Sequence, residues 1–369
     1  MMQLVFFAAS IIVLLGGHAA LWLFLVKFLS ITTLYGQVMV ALILLALFSS
    51  SILASYLIHH RDNFFSRWYY MITGFWIGLL LNLALALAII GLLKLSALGF
   101  HFIWPHTFLE IFFFGAAFLF SLWGVYNAMS PRVTNYTAVI KDLPEAWNNK
   151  TIVQISDVHL GPVYRQHFFS RLVNQIQELN PEALFITGDL FDGMEADFTW
   201  FDHDLNRLSL PKGIYYSFGN HDLYLGFNRV MELLKDKPLR IMDNKMVVVD
   251  GLQIIGINYA FENDFALDKA ILKQVDYDQN KPSLLMFHDP NDIPLAKSVG
   301  IDLQLSGHTH NGQLVPINWF EKLYFHGYNY GYFREGDFNL VVCSGTGTWG
   351  PPMKTVGHSE IVQIKLLRK

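Results

Sequence analysis

Thr151-Ile-Val-Gln-Ile155 runs straight into Ser156-Asp157-Val158-His159-Leu160-Gly161. Four apolar or β-branched residues and one glutamine, followed by a polar, glycine-bounded turn, predict a buried strand that ends in two chemically active side chains. The same grammar recurs downstream. Ala183-Leu-Phe-Ile-Thr187 runs into Gly188-Asp189-Leu-Phe-Asp192, and residues 214–218 run into Gly219-Asn220-His221-Asp222. Ser283-Leu-Leu-Met-Phe287 ends at His288, and residues 301–305 lead to Gly307-His308-Thr-His310. Residues 168–179 have the apolar spacing of a helix, so strands alternate with helices as in an α/β fold. In open α/β sheets the strand ends share one edge, where sites form. Five distant motifs therefore converge.

The converging residues are Asp157, His159, Asp189, Asn220, His288, His308 and His310, a set of oxygen and nitrogen ligands that can close around two divalent cations. Two cations about 3.5–4 Å apart stabilise the attacking and departing oxygens of an in-line displacement. Such a centre needs a carboxylate able to bridge, for which Asp189 is placed, and an open position for water. The pairs Asp157/His159 and His308/His310 are spaced by two residues, which lets a strand end or loop project both side chains to one place. The chemistry implied is hydrolysis of a phosphate ester or anhydride by a metal-bound hydroxide. Mixed His, Asp and Asn ligands accept manganese, iron, zinc or magnesium.

These motifs, in this order, resemble the calcineurin-like metallophosphoesterase family over roughly residues 151–367. The resemblance implies a four-layer αββα sandwich. It further implies one metal on Asp157, His159, Asp189 and His310 and a second on Asp189, Asn220, His288 and His308. His221 would then lie against the scissile phosphate, with Asp192 orienting its imidazole and Asp222 supporting the metal ligands from behind. Ser156 to Gly161, Ser306 to Gln313 and the Gly345-Thr-Gly loop look like a bacterial membrane-linked branch, some of whose members cleave the pyrophosphate of UDP-2,3-diacylglucosamine, a lipid A precursor. Gly193 stands where protein phosphatases of the wider family have arginine, which makes phosphoprotein a poor candidate substrate.

Charge divides the chain. Only Lys27, Arg61, Asp62, Arg67, Lys94 and Glu110 are charged before Asn127, out of 26 Lys+Arg and 30 Asp+Glu in all. A hydrocarbon core needs a helix of roughly 20 apolar residues, and residues 4–26, 36–58, 71–93 and 111–129 reach that length. The first reads as a retained span, being longer than the apolar stretch of a cleaved signal. The expected organisation is a membrane section over residues 1–129, a connector and first strand over 130–150, and a catalytic domain over 151–369. Arg61 and Arg67, with Arg132, outweigh Lys27 and Lys94 in the opposing loops, which places the catalytic domain on the cytoplasmic side; the resemblance to a bacterial branch implies the inner membrane. The residues after 129 carry net negative charge, so nucleic acid is not an expected partner. The lone Cys343 excludes a thiolate cluster and an intrachain disulfide.

The expected partners are thus the lipid bilayer and a lipid-linked phosphate substrate. A phosphodiesterase for cyclic nucleotides, nucleotides or nucleic acid is the alternative, and a transporter or sensor with a regulatory phosphoesterase domain ranks last. Other polar residues take plainer expectations. His203, His326 and His358 read as loop histidines, and Asp197, Asp202 and Asp204 as a solvated acidic loop. His18 reads as packing against another helix. The aromatic run from Asn318 to Phe333 divides evenly between core and a membrane-interfacial surface. Arg165, Arg334 and Lys354 are candidate contacts to phosphate or nucleotide.

Overall fold

The computed structural model describes residues 2–100, 106–259 and 275–369. It forms two compact units, one of Met1–Tyr126 with Gly350–Thr355 and the other of Asn127–Trp349 with Val356–Lys369.

The first unit is helical. Among the described residues it holds α1 (Met2–Phe28), α2 (Leu34–His60), α3 (Phe64–Phe100) and most of α4 (His106–Met129). Each contains a stretch long and apolar enough to cross a membrane. Even α4, the shortest at 24 residues, extends about 36 Å at 1.5 Å per residue, more than a hydrocarbon core. Many large apolar side chains face outward, while Leu21, Leu44, Leu80 and Leu83 pack between the helices together with a few polar groups. His18 is buried and its Nε2 accepts the Trp76 indole N–H at 3.2 Å. Asn82 donates to Ser121 Oγ at 2.8 Å, and Lys94 pairs with Glu110. The segment Gly350–Thr355 belongs to this unit: a Cβ on Gly78 would stand 2.6 Å from Met353 Sδ, and the Lys354 N–H donates to Gly124 O at 2.8 Å. Lys354 is wholly buried there.

The second unit is the αββα sandwich that the motifs imply. One six-stranded sheet has the order β1-β12-β2-β3-β4-β5 and the other β10-β11-β9-β8-β7-β6 among the described residues. In the first sheet β1 is Arg132–Ile140, β2 Thr151–Ile155, β3 Ala183–Thr187, β4 Ile214–Ser217, β5 Arg240–Ile241 and β12 Glu360–Arg368. The second sheet holds β6 Lys245–Val249, β7 Leu252–Ile257, β8 Ser283–Phe287, β9 Leu303–Ser306, β10 Gly331–Glu335 and β11 Phe338–Val342. β2, β3 and β4 run parallel, as do β7, β8, β9 and β11. Strands buried on both faces read as continuous apolar runs, which is why β2, β3 and β8 are legible to the residue.

The inner faces of the two sheets share one core, with Ala138, Ile152, Phe185 and Val362 from one sheet meeting Ile254, Leu284, Leu305 and Val341 from the other. α5 (Gln166–Leu179), α6 (Phe201–Leu205) and α8 (Phe227–Leu234) cover the first sheet, and α9 (Ile293–Ser298) covers the second. α7 (Asn220–Leu225) and α10 (Ile317–Tyr324) sit in the loops beyond the strand ends. β1 begins at Arg132, two residues after α4 ends at Met129.

Candidate metal centre

All seven predicted ligands come together beyond the carboxyl ends of β2, β3, β4, β8 and β9. The backbone bends sharply to bring them there. Asp157, His159, Asp189, His308 and His310 all adopt positive φ, between 49° and 72°, a region non-glycine residues enter at a cost. Two glycines make room for them. A Cβ on Gly307 would fall 1.9 Å from Ser156 Oγ and 2.2 Å from Asp157 Oδ2, and one on Gly219 would fall 2.2 Å from Asp189 Oδ1.

The ligand atoms form overlapping clusters. Asp157, His159 and His310 make one, and Asp189, His288 and His308 another. His159 Nε2 lies 3.1 Å from His310 Nε2 and 3.9 Å from Asp189 Oδ2. His310 Nε2 lies 3.4 Å from Asp157 Oδ1, and His288 Nε2 lies 3.2 Å from Asp189 Oδ2 and 3.9 Å from Asp157 Oδ1. Asn220 Oδ1 joins the second cluster 2.9 Å from His308 Nδ1. Asp189 Oδ2 thus faces both groups. Its Oδ1 accepts the His221 N–H at 2.7 Å, and Asp157 accepts the His308 N–H on both oxygens at 3.1 and 3.0 Å.

This donor set suits divalent cations. His288 Nδ1 donates to Thr187 O at 2.8 Å, which leaves Nε2 as the free lone pair, the arrangement usual for a metal-bound imidazole. That Nε2 is buried and makes no hydrogen bond. Burial disfavours the charged form of His288, yet the carboxylates of Asp189 and Asp157 outweigh it and push its pKa up to about 10. The pocket therefore calls for positive charge. Asp189 is buried as well, but His288, His221 and His159 hold its carboxyl well below the usual range. Burial, aided by the charge on His288, pushes His308 down to about 3, so it stays a neutral ligand.

Asp222 supports the turn from behind. Its Oδ1 accepts the Phe191 N–H at 3.0 Å and its Oδ2 the Gly219 N–H at 2.9 Å, while burial and the charge of Asp189 push its pKa up to about 7. Asp192 meets His221 through its backbone. The His221 imidazole is held by the Asp192 backbone carbonyl, 3.1 Å from Nδ1. The Asp192 carboxylate instead sits 3.1 Å from His159 Nδ1, close but off the line of a hydrogen bond. His221 itself shares a third cluster with His159 and Asp189, so proximity does not separate it from the ligands. Exposure does not separate it either, since the candidate ligand His308 is partly exposed as well.

Several neighbours carry no sequence motif. Tyr259, buried at the end of β7, has its ring 5.8 Å from that of His308 and 6.2 Å from that of His288. Tyr224 and Trp349 flank the His221 ring at 5.1 and 6.1 Å. Asp289, after His288, is buried and pushed up to about 7 by that burial. Only Asp289 had a signal, in Phe-His-Asp-Pro. The acidic loop disperses onto separate partners: Asp204 is buried against Ser170 and Arg207, and Asp202 pairs with Lys237 at 2.6 Å. Arg165 lies 3.9 Å from Asp197, and Arg334 bonds Gly336 O on a surface strand.

Residues 150–312 match a family model described as calcineurin-like phosphoesterase. An uncharacterized metallophosphoesterase of Helicobacter pylori is 32% identical over 272 residues, 71% of each chain. One of Campylobacter jejuni is 30% identical over 326 residues, 86% of each chain. A Danio rerio protein described as a transmembrane protein with metallophosphoesterase domain is 29% identical over 269 residues, 67% of this chain and 60% of that one.

Proposed function

The chain belongs to the calcineurin-like metallophosphoesterases, and from that premise we propose that it is a membrane-integral hydrolase whose two-cation centre cleaves a phosphate ester or pyrophosphate of a lipid-linked substrate such as UDP-2,3-diacylglucosamine. The observation that carries the two-cation part is the placement of Asp189 Oδ2 between two ligand clusters, 3.2 Å from His288 and 3.9 Å from His159. Divalent cations held there would polarise the phosphoryl oxygens and supply a nucleophile from water at neutral pH. One would be held by Asp157, His159, Asp189 and His310, the other by Asp189, Asn220, His288 and His308.

The chain's own part is positioning and proton transfer. His221 shares a cluster with His159 and Asp189 and has Nδ1 engaged by the Asp192 carbonyl; only as the imidazolium, having first taken a proton on Nε2, would it protonate the departing oxygen. Burial lowers the His221 pKa, so the imidazolium, once formed, gives up its proton readily.

Locality supports the lipid part. A hydrolase tethered to a bilayer sees lipid substrates at high effective concentration and gains nothing for soluble ones. The excess of Arg61, Arg67 and Arg132 over the opposing lysines supports a cytoplasmic catalytic unit on an inner membrane. One observation favours the nucleotide alternative: Tyr224 and Trp349 offer exposed rings on either side of His221, surfaces on which a base can stack. Full-length protein in lipid nanodiscs, supplied with each metal in turn, should turn over the lipid pyrophosphate with a higher kcat/KM than cyclic or linear nucleotides. The reverse ranking would replace the lipid substrate with a nucleotide.

A further inference from the structure

The helix that follows the last metal motif is built inside out. Along α10 each residue advances 100°, so Ile317, Trp319, Phe320, Leu323 and Tyr324 fall on one continuous arc and Asn318 and Glu321 on the other. The apolar arc is the outer one: Trp319, Phe320 and Leu323 are 62%, 67% and 75% exposed, and none of the eight helix residues is buried. The polar pair is turned inward. Asn318 Oδ1 and Glu321 Oε2 are both shielded from solvent and neither has a hydrogen-bond partner. A helix on a water-facing surface has the opposite order. A contiguous apolar patch of this kind marks an interaction surface.

The rest of the chain says what covers it. The fourth span candidate, Thr107–Met129, ends two residues before β1 begins. Ser130 and Pro131 join that span candidate to β1 and extend about 7 Å at most, so the chain that carries α10 is tethered at that end to the bilayer. Trp319 and Tyr324 are the residue types of the membrane interface belt, and exposed Lys322 flanks the arc where anionic headgroups would meet it. We propose that α10 lies in the bilayer interface with Trp319, Phe320, Leu323 and Tyr324 among the upper acyl chains. Tyr324 packs edge-on against Phe325 at 4.9 Å, and Phe325 edge-on against His308 at 6.3 Å. The docked helix is thus one wall of the metal centre, which it holds at the lipid surface. The proposal rests on the helices of the first unit crossing a bilayer and not on the identity of the substrate.

The test uses the full-length chain with buried Cys343 replaced by serine and Leu323→Cys labelled with an environment-sensitive bimane. In vesicles of mixed zwitterionic and anionic phospholipid, its emission should shift to the blue and be quenched by lipids that carry a nitroxide near the headgroup. The same label at Gln279→Cys, exposed on the second unit, should do neither. Phe320→Cys provides a second position on the arc, and an unchanged circular-dichroism spectrum and melting temperature show that each labelled chain is folded. Absence of lipid quenching at both positions overturns the proposal. A blue shift without quenching, in a chain that runs as a dimer, overturns it in favour of a second copy as the occupant. Because the readout involves no substrate, its failure leaves the proposed hydrolysis untouched.

Discussion

Asp192 shows how much a single residue's wiring matters. The family resemblance implied a partner for the His221 imidazole, and the structure supplies it through the Asp192 carbonyl while the carboxylate stands beside His159. The two arrangements predict different kinetics. With the carboxylate on a metal-ligating histidine, Asp192→Asn should weaken metal affinity about 10–100-fold, as loss of a supporting partner commonly does, and saturating metal should restore kcat. If the carboxylate served His221 instead, kcat would stay low at every metal concentration. A metal titration of turnover decides between them. Gly307 makes a second residue-level case: with a Cβ due 1.9 Å from Ser156 Oγ, Gly307→Ala must move the turn that carries His308 and His310. The variant should lose metal-dependent activity and melt at a lower temperature; a crystal structure with an unmoved turn would contradict this.

At the level of elements, β2, β3 and β8 were legible from end to end because strands buried on both faces are unbroken apolar runs bounded by glycine or polar turns. The convergence of the candidate ligands was legible for the same reason, each standing just past such a run. What periodicity cannot tell is which way an amphipathic helix faces. The aromatic run from Asn318 was balanced between core and interface, and only the structure turns Glu321 inward and Trp319 outward. The environment of Lys354 was not legible for a related cause: a charged loop residue gives no sign that its segment packs with the helices of the first unit. The inward turn of Glu321 has a pH signature. Burial pushes its pKa up to about 7 from 4.5, so the folded state prefers the protonated form. Its ionisation therefore costs nothing below about pH 4.5, grows through pH 7 and is fully present above it. Glu321→Gln should raise the Tm at pH 8, by about 2–4 °C for each kcal/mol relieved, and leave it unchanged at pH 4. Equal melting gains at both pH values would contradict the buried, unpartnered carboxyl.

For the whole molecule, the combination is a hydrolytic centre of familiar ligands on a chain that also supplies four helices long and apolar enough to cross a membrane. The first unit explains why so little of the N-terminal charge survives, and the second why so much of the remaining histidine and aspartate gathers at one sheet edge. Substrate choice should follow the tether: moving the enzyme from detergent micelles into vesicles that contain the lipid substrate should lower the apparent KM while kcat holds, since only local concentration changes. An unchanged KM would count against a membrane-borne substrate. The central claim is the two-cation centre, and its most direct measurement is hydrolysis of a chromogenic phosphodiester by the full-length protein after chelation, as manganese is restored in steps alongside Asp189→Asn. The account predicts no turnover in chelator, full recovery at two equivalents per chain and none in Asp189→Asn at any metal concentration. Turnover that persists in chelator, or an active Asp189→Asn variant, would contradict it.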